Sequence, residues 1–409
     1  MNRKICLDNL QIAVSTRTLQ HDGFVVIGEV IKSGLWIKIP AAHYKYILPY
    51  IGITDGYKKL MDSLDSIQKQ NYYTHLIEVL AQINVLERKE YLHNDCPVQD
   101  LTIELTTACN LRCKHCCGMY GSKEVISLSD AHFEHIVQWA GHNGIRSITL
   151  TGGEIFCVSD IYKKFEYIHN NFSGTLCIMT NATLFTEDEI HVIKECVDEV
   201  SISLDGYDEQ SVDFIRGKGV YRKVINSISM LRDNGFNNIT LSMVLTSDNN
   251  RHISNFKQLC TELNVKPITR FFSIKGRALE NYNLLISDQE KGQEDQILQQ
   301  INMQSICNAG ISTLSIAANG YVTLCPATED SNIILGTSDD LDNISKSIRR
   351  MQQTCLVDEI SPCKSCNVRY FCSSKCFATN INIFTNPSLR KQRCLQYKEK
   401  LQKYVWGVK

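Results

Sequence analysis

The feature that most constrains this chain is Cys109-Asn110-Leu111-Arg112-Cys113-Lys114-His115-Cys116, three cysteines spaced C-x3-C-x2-C. It follows directly on an apolar, β-branched run, Leu101 to Thr107, that reads as a strand. Three thiolates on one short loop can hold three irons of a 4Fe-4S cluster, which leaves the fourth iron open to a small molecule. A cluster used only for electron transfer is normally closed by four cysteines, and a structural zinc site by four nitrogen or sulfur ligands. The missing fourth ligand is therefore the informative feature. The competing reading of the octapeptide alone is a partial zinc site or three unrelated thiols.

With 409 residues the chain has room for two or three domains. Lys plus Arg number 43 against 44 Asp plus Glu, so no global charge argument points to nucleic acid or to a membrane surface. The C-terminal stretch from Pro362 differs, with ten Lys or Arg against the single acid Glu399. It reads as a solvated basic tail or as cations that offset the charge of thiolate-ligated clusters. No apolar run approaches the roughly 18 residues of a membrane span, and no signal-type apolar core follows Met1-Asn2-Arg3-Lys4. A cytoplasmic protein is expected, and there 18 cysteines are not a disulfide scaffold: the clustered ones read as metal ligands, and Cys6, Cys96, Cys157, Cys177, Cys196 and Cys260 as buried small hydrophobes. Their grouping agrees: four lie between Cys109 and Cys117 and eight between Cys307 and Cys394.

Residues 1–95 read as an independent small domain. Phe24-Val25-Val26-Ile27 and Leu35-Trp36-Ile37-Lys38-Ile39 flank a Lys-Ser-Gly turn as a β-hairpin. Three stretches with apolar residues at helical spacing follow, at Tyr44 to Leu48, Leu60 to Ile67 and Leu76 to Ile83. This content is winged-helix-like, but eleven Lys or Arg against nine Asp or Glu up to Glu90 form no basic stripe, which argues against DNA binding. From Leu101 onward strands and helices alternate. Strands are expected at Leu101 to Thr107, Ile145 to Thr151, Thr175 to Thr180, Glu199 to Leu204, Asn238 to Leu245 and Ile268 to Ser273. Six such units predict an α/β fold, a parallel sheet curled into an open barrel with its chemistry at the carboxyl ends of the strands. The remaining motifs fall there: Thr151-Gly152-Gly153-Glu154, Met179-Thr180-Asn181-Ala182, Ser203-Leu204-Asp205-Gly206 and Phe214-Ile215-Arg216-Gly217.

In this combination of motifs the sequence resembles the radical S-adenosylmethionine (SAM) superfamily, whose hallmark is C-x3-C-x2-C after the first strand of a partial (β/α)6 TIM-like barrel. The resemblance implies that SAM chelates the open iron through its methionine amino and carboxylate groups, and that its reductive cleavage gives a 5′-deoxyadenosyl radical. It implies cofactor contacts for Gly152, Gly153 and Glu154 with the SAM amino group, and a place for Asn181 in a Thr-Asn-Gly-like turn. Ser203 and Arg216 would bind the SAM carboxylate, and Leu245 would pack on adenine. His115 stands where the family usually has an aromatic residue, and its imidazole would stack on adenine. Asp205 reads as a turn-forming residue, or alternatively as part of the active-site lining.

A second cysteine field comprises Cys307, Cys325, Cys363, Cys366, Cys372, Cys376 and Cys394, with Asn319-Gly320 as a hairpin turn ahead of Cys325. Taken alone, Cys363 to Cys376 could be a zinc knuckle. The seven cysteines together are similar in spacing to the SPASM extension of radical SAM peptide-modifying enzymes. That resemblance implies two auxiliary 4Fe-4S clusters, hence three in all. One would be closed by Cys363, Cys366, Cys372 and Cys394, and the one nearer SAM held by Cys307, Cys325 and Cys376. The nearer set lacks a fourth cysteine, so either Cys355 supplies it or an iron is open to a substrate thiolate. The expected division is 1–95 for peptide recognition, 96–300 for the barrel and 301–409 for the extension.

A small domain ahead of a radical SAM barrel is similar to the precursor-recognition element of ribosomal-peptide maturases, in which a leader peptide adds as a strand to a sheet edge. The expected function is therefore a maturase that takes hydrogen from a ribosomally made precursor peptide and installs an oxidative crosslink. A thioether is the first choice, with carbon-carbon or carbon-oxygen bonds next. An external donor such as flavodoxin or ferredoxin would supply electrons, and neither nucleic acid nor membrane is an expected partner. The alternatives are a formylglycine-generating sulfatase-type maturase, a peptide epimerase, and a non-catalytic zinc-binding adaptor.

Overall fold

A computed structural model of the chain describes residues 7, 10–30, 33–88, 98–121, 124–246, 249–271, 275–281, 285, 302–303, 312–326, 334–344, 358, 361–371 and 387–407. The chain divides into two compact units, one of residues 1–97, 296–311 and 347–409, the other of 98–295 and 312–346. The stretch 301–409, expected as one domain, is thus shared between them.

In the first unit β1 (Leu10–Ile12) is later paired by β5 (Leu86–Arg88), while β2 (Thr16–His21), β3 (Phe24–Glu29) and β4 (Trp36–Pro40) form an antiparallel sheet in that order. Asp22 and Gly23, both with positive φ, make the tight turn between β2 and β3. The helices are α1 (Ala41–Ile47), α2 (Gly56–Asp62) and α3 (Ile67–Gln82), the last begun by Ser66, whose hydroxyl accepts the Lys69 N–H at 3.3 Å. The hairpin and three helices are therefore present, but the stretch Leu60 to Ile67 read as one helix is split, α2 ending at Asp62 and α3 beginning at Ile67.

Side chains of a strand alternate between faces, and β3 is buried on both. Val25 and Ile27 pack with Ile47, Leu60, Ile77 and Leu80 of the helices. Val26 packs with Leu19 on a second core built with Val368, Phe371, Leu401 and Val405. Leu401 and Val405 lie on the long C-terminal helix Pro387–Trp406. The Trp36 ring meets Phe371 edge to face at 5.0 Å, and Trp406 Nε1 donates to the Asn367 carbonyl at 3.0 Å. Residues near the two ends of the chain therefore share one core.

The second unit carries β6 (Asp100–Glu104), β7 (Ser147–Thr151), β8 (Thr175–Thr180), β9 (Glu199–Ser203), β10 (Ile239–Leu245) and β11 (Lys266–Phe271), each parallel to its predecessor. The helices between them include α4 (Asp130–His142), α5 (Ile161–Asn171), α6 (Glu187–Cys196), α7 (Glu209–Arg216), α8 (Val220–Asp233) and α9 (Ile253–Glu262), and α10 (Arg277–Glu280) follows β11. The apolar runs of the central strands, such as Ile148 and Leu150 or Val200 and Ile202, are wholly buried, as a sheet covered by helices requires. This is the mostly parallel sheet of a partial TIM-like barrel. β6 stops at Glu104, short of the run read from sequence, because Thr106 leaves the ladder to bridge Ser127. Outside β6 lies β12 (Thr313–Ile316), parallel to it, followed by the antiparallel β13 (Tyr321–Thr323) and β14 (Ile334–Thr337). The Asn319-Gly320 turn forms the β12 to β13 hairpin, with Gly320 at φ +81 and its N–H bonded to the Ala317 carbonyl.

Candidate active site

The loop bearing Cys109, Cys113 and Cys116 leaves the carboxyl end of β6 and is held from three sides. From β7, the N–H groups of Gly153 and Glu154 donate to the carbonyls of Thr106 and Ala108, each at 2.8 Å. A Cβ on Gly152 would stand 2.5 Å from the Thr106 carbonyl oxygen, and one on Gly153 2.2 Å from that of Ala108. What these two glycines accommodate here is the backbone of the cysteine loop itself. From α7, the Ile215 carbonyl takes the Lys114 N–H at 2.8 Å. From α10, the buried Arg277 donates to the carbonyls of Cys113 at 3.0 Å and Tyr120 at 2.8 Å.

Burial pushes the Cys109 thiol up to about 12, and the nearby Glu154, Cys113 and Cys116 add to it. Burial likewise raises Cys113, against the pull of the Arg216 guanidinium. Buried thiols that resist ionisation as a free group release their protons on binding iron. Among the described residues no three His, Cys, Asp or Glu side chains converge as the ligands of a single ion. Ligands of a 4Fe-4S cluster each take a different iron, so the three-cysteine loop suits a cluster better than a lone zinc.

Glu154 is a buried carboxylic acid on the β7 to β8 side. Its carboxylate accepts the Thr180 hydroxyl and the Asn181 N–H, both at 2.7 Å, and the Phe156 N–H at 3.3 Å. Burial nevertheless outweighs these bonds and holds its pKa above the usual carboxylate range. A carboxylate so placed can accept hydrogen bonds from an ammonium group. The Asn181 side chain donates to Asn110 at 2.9 Å and accepts from Thr183, so it ties the end of β8 to the cysteine loop.

On the β9 to β10 side the centre is Asp205, with φ +65 and 1% exposure. Its Oδ1 accepts the Val244 N–H at 2.6 Å. Its Oδ2 lies 2.7 Å from His115 Nε2 and forms an ion pair with Arg216 Nη2. Burial opposes the charge of Asp205, but Arg216 and His115 overcome it and hold the carboxyl far below its ordinary value. Arg216 Nη1 stands 4.0 Å from Cys113 Sγ. The structure thus places His115 against a carboxylate, and it makes Asp205 both the turn residue and a buried charge. Ser203 and Leu245 are half-buried at the ends of β9 and β10.

Next to the loop is a cavity of about 450 Å³ whose walls include Thr107, Tyr120, Gly152, Ala318, Tyr321 and Ile334. Buried Glu104 joins its two sides, accepting the Tyr120 hydroxyl and, at 3.1 Å, the Ala318 N–H. Cys325 follows β13, and its carbonyl accepts the Thr323 hydroxyl at 3.2 Å. Cys363 and Cys366 flank a short turn closed by the Cys366 N–H to the Cys363 carbonyl at 2.8 Å, and Cys394 is half-buried on the C-terminal helix. Cys307, Cys355, Cys372 and Cys376 lie outside the described residues. Sequence reasoning missed Arg277 and the pairing role of Asp205. Arg277 carries no local signal, while Asp205 at the end of an apolar strand did mark a candidate.

A cysteine loop at the carboxyl edge of a parallel sheet, with a buried carboxylate beside it, has the donor chemistry to hold an iron-sulfur centre next to a small polar ligand. Residues 103–260 match the family described as the Radical SAM superfamily. It is 25% identical over 285 residues, 64% of this chain and 68% of the relative, to the sporulation killing factor maturation protein SkfB of Bacillus subtilis. It is 28% identical over 168 residues to the antilisterial bacteriocin subtilosin biosynthesis protein AlbA of the same organism. That match covers 40% of this chain and 37% of the relative, so the chain spans little more than a third of its length. Among solved structures, Streptococcus suis SuiB bound to S-adenosylmethionine superposes with a TM-score of 0.55 at 16% identity. That superposition covers 91% of this chain and 96% of SuiB. Among the described residues no helix is long and apolar enough to cross a membrane.

Proposed function

We propose that the protein is a radical SAM maturase that installs an oxidative crosslink in a ribosomally made precursor peptide. The observation that carries the reading is the cysteine loop Cys109 to Cys116, bordered by the buried carboxylate of Glu154 on one side and by a cavity of about 450 Å³ on the other. Bound to the cluster on this loop, SAM supplies on reductive cleavage a radical that takes a hydrogen atom from carbon. Cys109, Cys113 and Cys116 would hold the cluster. Glu154 would accept the SAM ammonium, with the Gly152-Gly153 backbone close by, and Arg216 with Ser203 the carboxylate. Leu245 and His115 would line the nucleoside end. The relatives named for maturation of a killing factor and a bacteriocin, and a solved SuiB in complex with its precursor peptide SuiA, support a peptide as substrate.

Removal of a hydrogen atom from carbon, loss of one electron, and release of a proton from the attacking S–H, C–H or O–H group make up a two-electron oxidation that replaces two bonds to hydrogen with one new bond. Auxiliary clusters on Cys363, Cys366, Cys372 and Cys394, and on Cys307, Cys325 and Cys376, would accept that electron. The second set has three cysteines and thus a position suited to the soft sulfur of a substrate cysteine, which favours a thioether over carbon-carbon or carbon-oxygen bonds. A leader segment would add to an edge of the β2 to β4 sheet. Deleting 1–95 is a poor test of that, because Val26 and Leu19 are part of a core with Phe371 and Leu401. The decisive experiment is anaerobic co-expression with a short peptide encoded beside this gene, read by accurate mass and fragmentation. Loss of two hydrogens per modification, resistant to thiol alkylation, is expected; the same loss with alkylatable thiols would replace the thioether with another bond. An unchanged mass would refute the crosslinking activity.

A further inference from the structure

Two buried nitrogens beside the cysteine loop, His115 Nδ1 and Arg216 Nε, have no hydrogen-bond partner among the described residues, and Asp205 Oδ2, which both side chains meet as ion-pair contacts, has none either. Leaving a buried polar atom unpaired is costly, and such atoms in a folded protein call for a specific explanation. Both nitrogens belong to side chains that ion-pair through another nitrogen, His115 Nε2 and Arg216 Nη2, with one carboxylate, that of Asp205. That carboxylate is in turn fixed by the Val244 N–H on β10, and its own backbone N–H bonds to the Ser242 carbonyl at 3.3 Å. The left-handed turn at Asp205 and the strand therefore determine where the carboxylate points, and the carboxylate determines how the imidazole and guanidinium planes lie.

We infer that Asp205 is a positioning residue of the SAM site: it orients His115 and Arg216 so that the two free nitrogens, His115 Nδ1 and Arg216 Nε, become polar contacts for bound SAM. His115 is then a hydrogen-bonding group as well as a ring surface. The imidazole Nε2 faces the carboxylate, which leaves Nδ1 as the atom on offer. On the other arm, Nη2 is held by Asp205 and Nη1 reaches toward Cys113, so Nε is what the guanidinium retains for a ligand. Groups that orient a ligating side chain typically matter by about 10- to 100-fold in affinity or activity. This inference rests on reading Cys109 to Cys116 as the SAM-binding cluster loop.

The test uses the full chain, purified anaerobically with its iron, and SAM itself as the probe. Iron and sulfide content, the SAM dissociation constant, and the electron paramagnetic resonance signal of the reduced protein with and without SAM are measured for the native protein and for Asp205→Asn. Retained iron with SAM binding weaker by about 10- to 100-fold, and a smaller spectral change on adding SAM, is the expected result. Native affinity in Asp205→Asn would overturn the inference while leaving the SAM site itself standing. Iron-loaded native protein that binds no SAM would overturn both. Should Asp205→Asn fail to fold or to hold iron, His115→Phe and Arg216→Lys each remove one of the two nitrogens. Each is expected to weaken SAM by about tenfold with iron retained, and unchanged affinity in both would overturn the inference.

Discussion

Glu154 and Asp205 are both 1% exposed, both at strand ends, and both flank the same cysteine loop, yet burial leaves them in opposite states. Glu154 is surrounded by hydroxyl and amide donors and is pushed toward its protonated form. Asp205 is surrounded by an arginine and a histidine and is held ionised. Neutral donors do not compensate a buried carboxylate as a full cation does. The side of the loop at β7 and β8 thus carries a buried carboxyl ringed by neutral donors, whereas the side at β9 and β10 carries a carboxylate paired with cations from within the chain.

The largest way to break this comparison removes what lies between the two carboxylates. Cys113→Ala is expected to abolish 5′-deoxyadenosine formation and to lower the iron bound by the loop, read by chromatography and iron assay. Next comes the balanced side. Arg216→Ala strands the Asp205 charge in the interior and is expected to cost about 3–5 kcal/mol of folding stability, measured by denaturant titration. Glu154→Gln should act in the opposite sense, losing little stability without SAM but weakening SAM about 10- to 100-fold, as expected for a charged hydrogen bond worth about 1.5–3 kcal/mol.

The pH dependence sharpens the contrast. The folded chain holds the Glu154 proton more tightly than the unfolded chain does, so this residue's contribution to stability is complete at low pH. It is lost as pH climbs from the ordinary glutamate range through the raised folded value. SAM, whose ammonium favours the ionised form, should bind more tightly over the same rise and then level off, and Glu154→Gln should flatten both profiles. The smallest expected effect is Gly153→Ala. Its Cβ would meet the Ala108 carbonyl oxygen at 2.2 Å and push the cysteine loop away, for about 1–3 kcal/mol by thermal unfolding.

Much of this was legible in the sequence because it is local. The three cysteines, the Gly-Gly-Glu turn, the strand and helix alternation and the Asn-Gly hairpin each occupy a few consecutive residues. Their periodicity and turn chemistry carry the information. What was not legible depends on residues far apart in the chain. Arg277 supports the carbonyl of Cys113 across 164 positions, and no pattern around it advertises that. His115 and Asp205 are brought together by the approach of one strand end to another loop, so His115 read as a ring surface and Asp205 first as a turn. Gly152 and Gly153 illustrate the same limit. The need for a bare backbone was visible, but its neighbour in the structure is the adjoining loop.

The two-faced burial of β3 has a further implication for how the chain is made. During synthesis Val26 and Leu19 leave the ribosome long before Leu401 and Val405, which complete their core. Until the last helix emerges, the sheet can cover one face with its own helices while the other stays wet. The β2 to β4 sheet is therefore translated well before its second face can be covered, and any nascent chain stalled before residue 387 would present an apolar sheet face to chaperones.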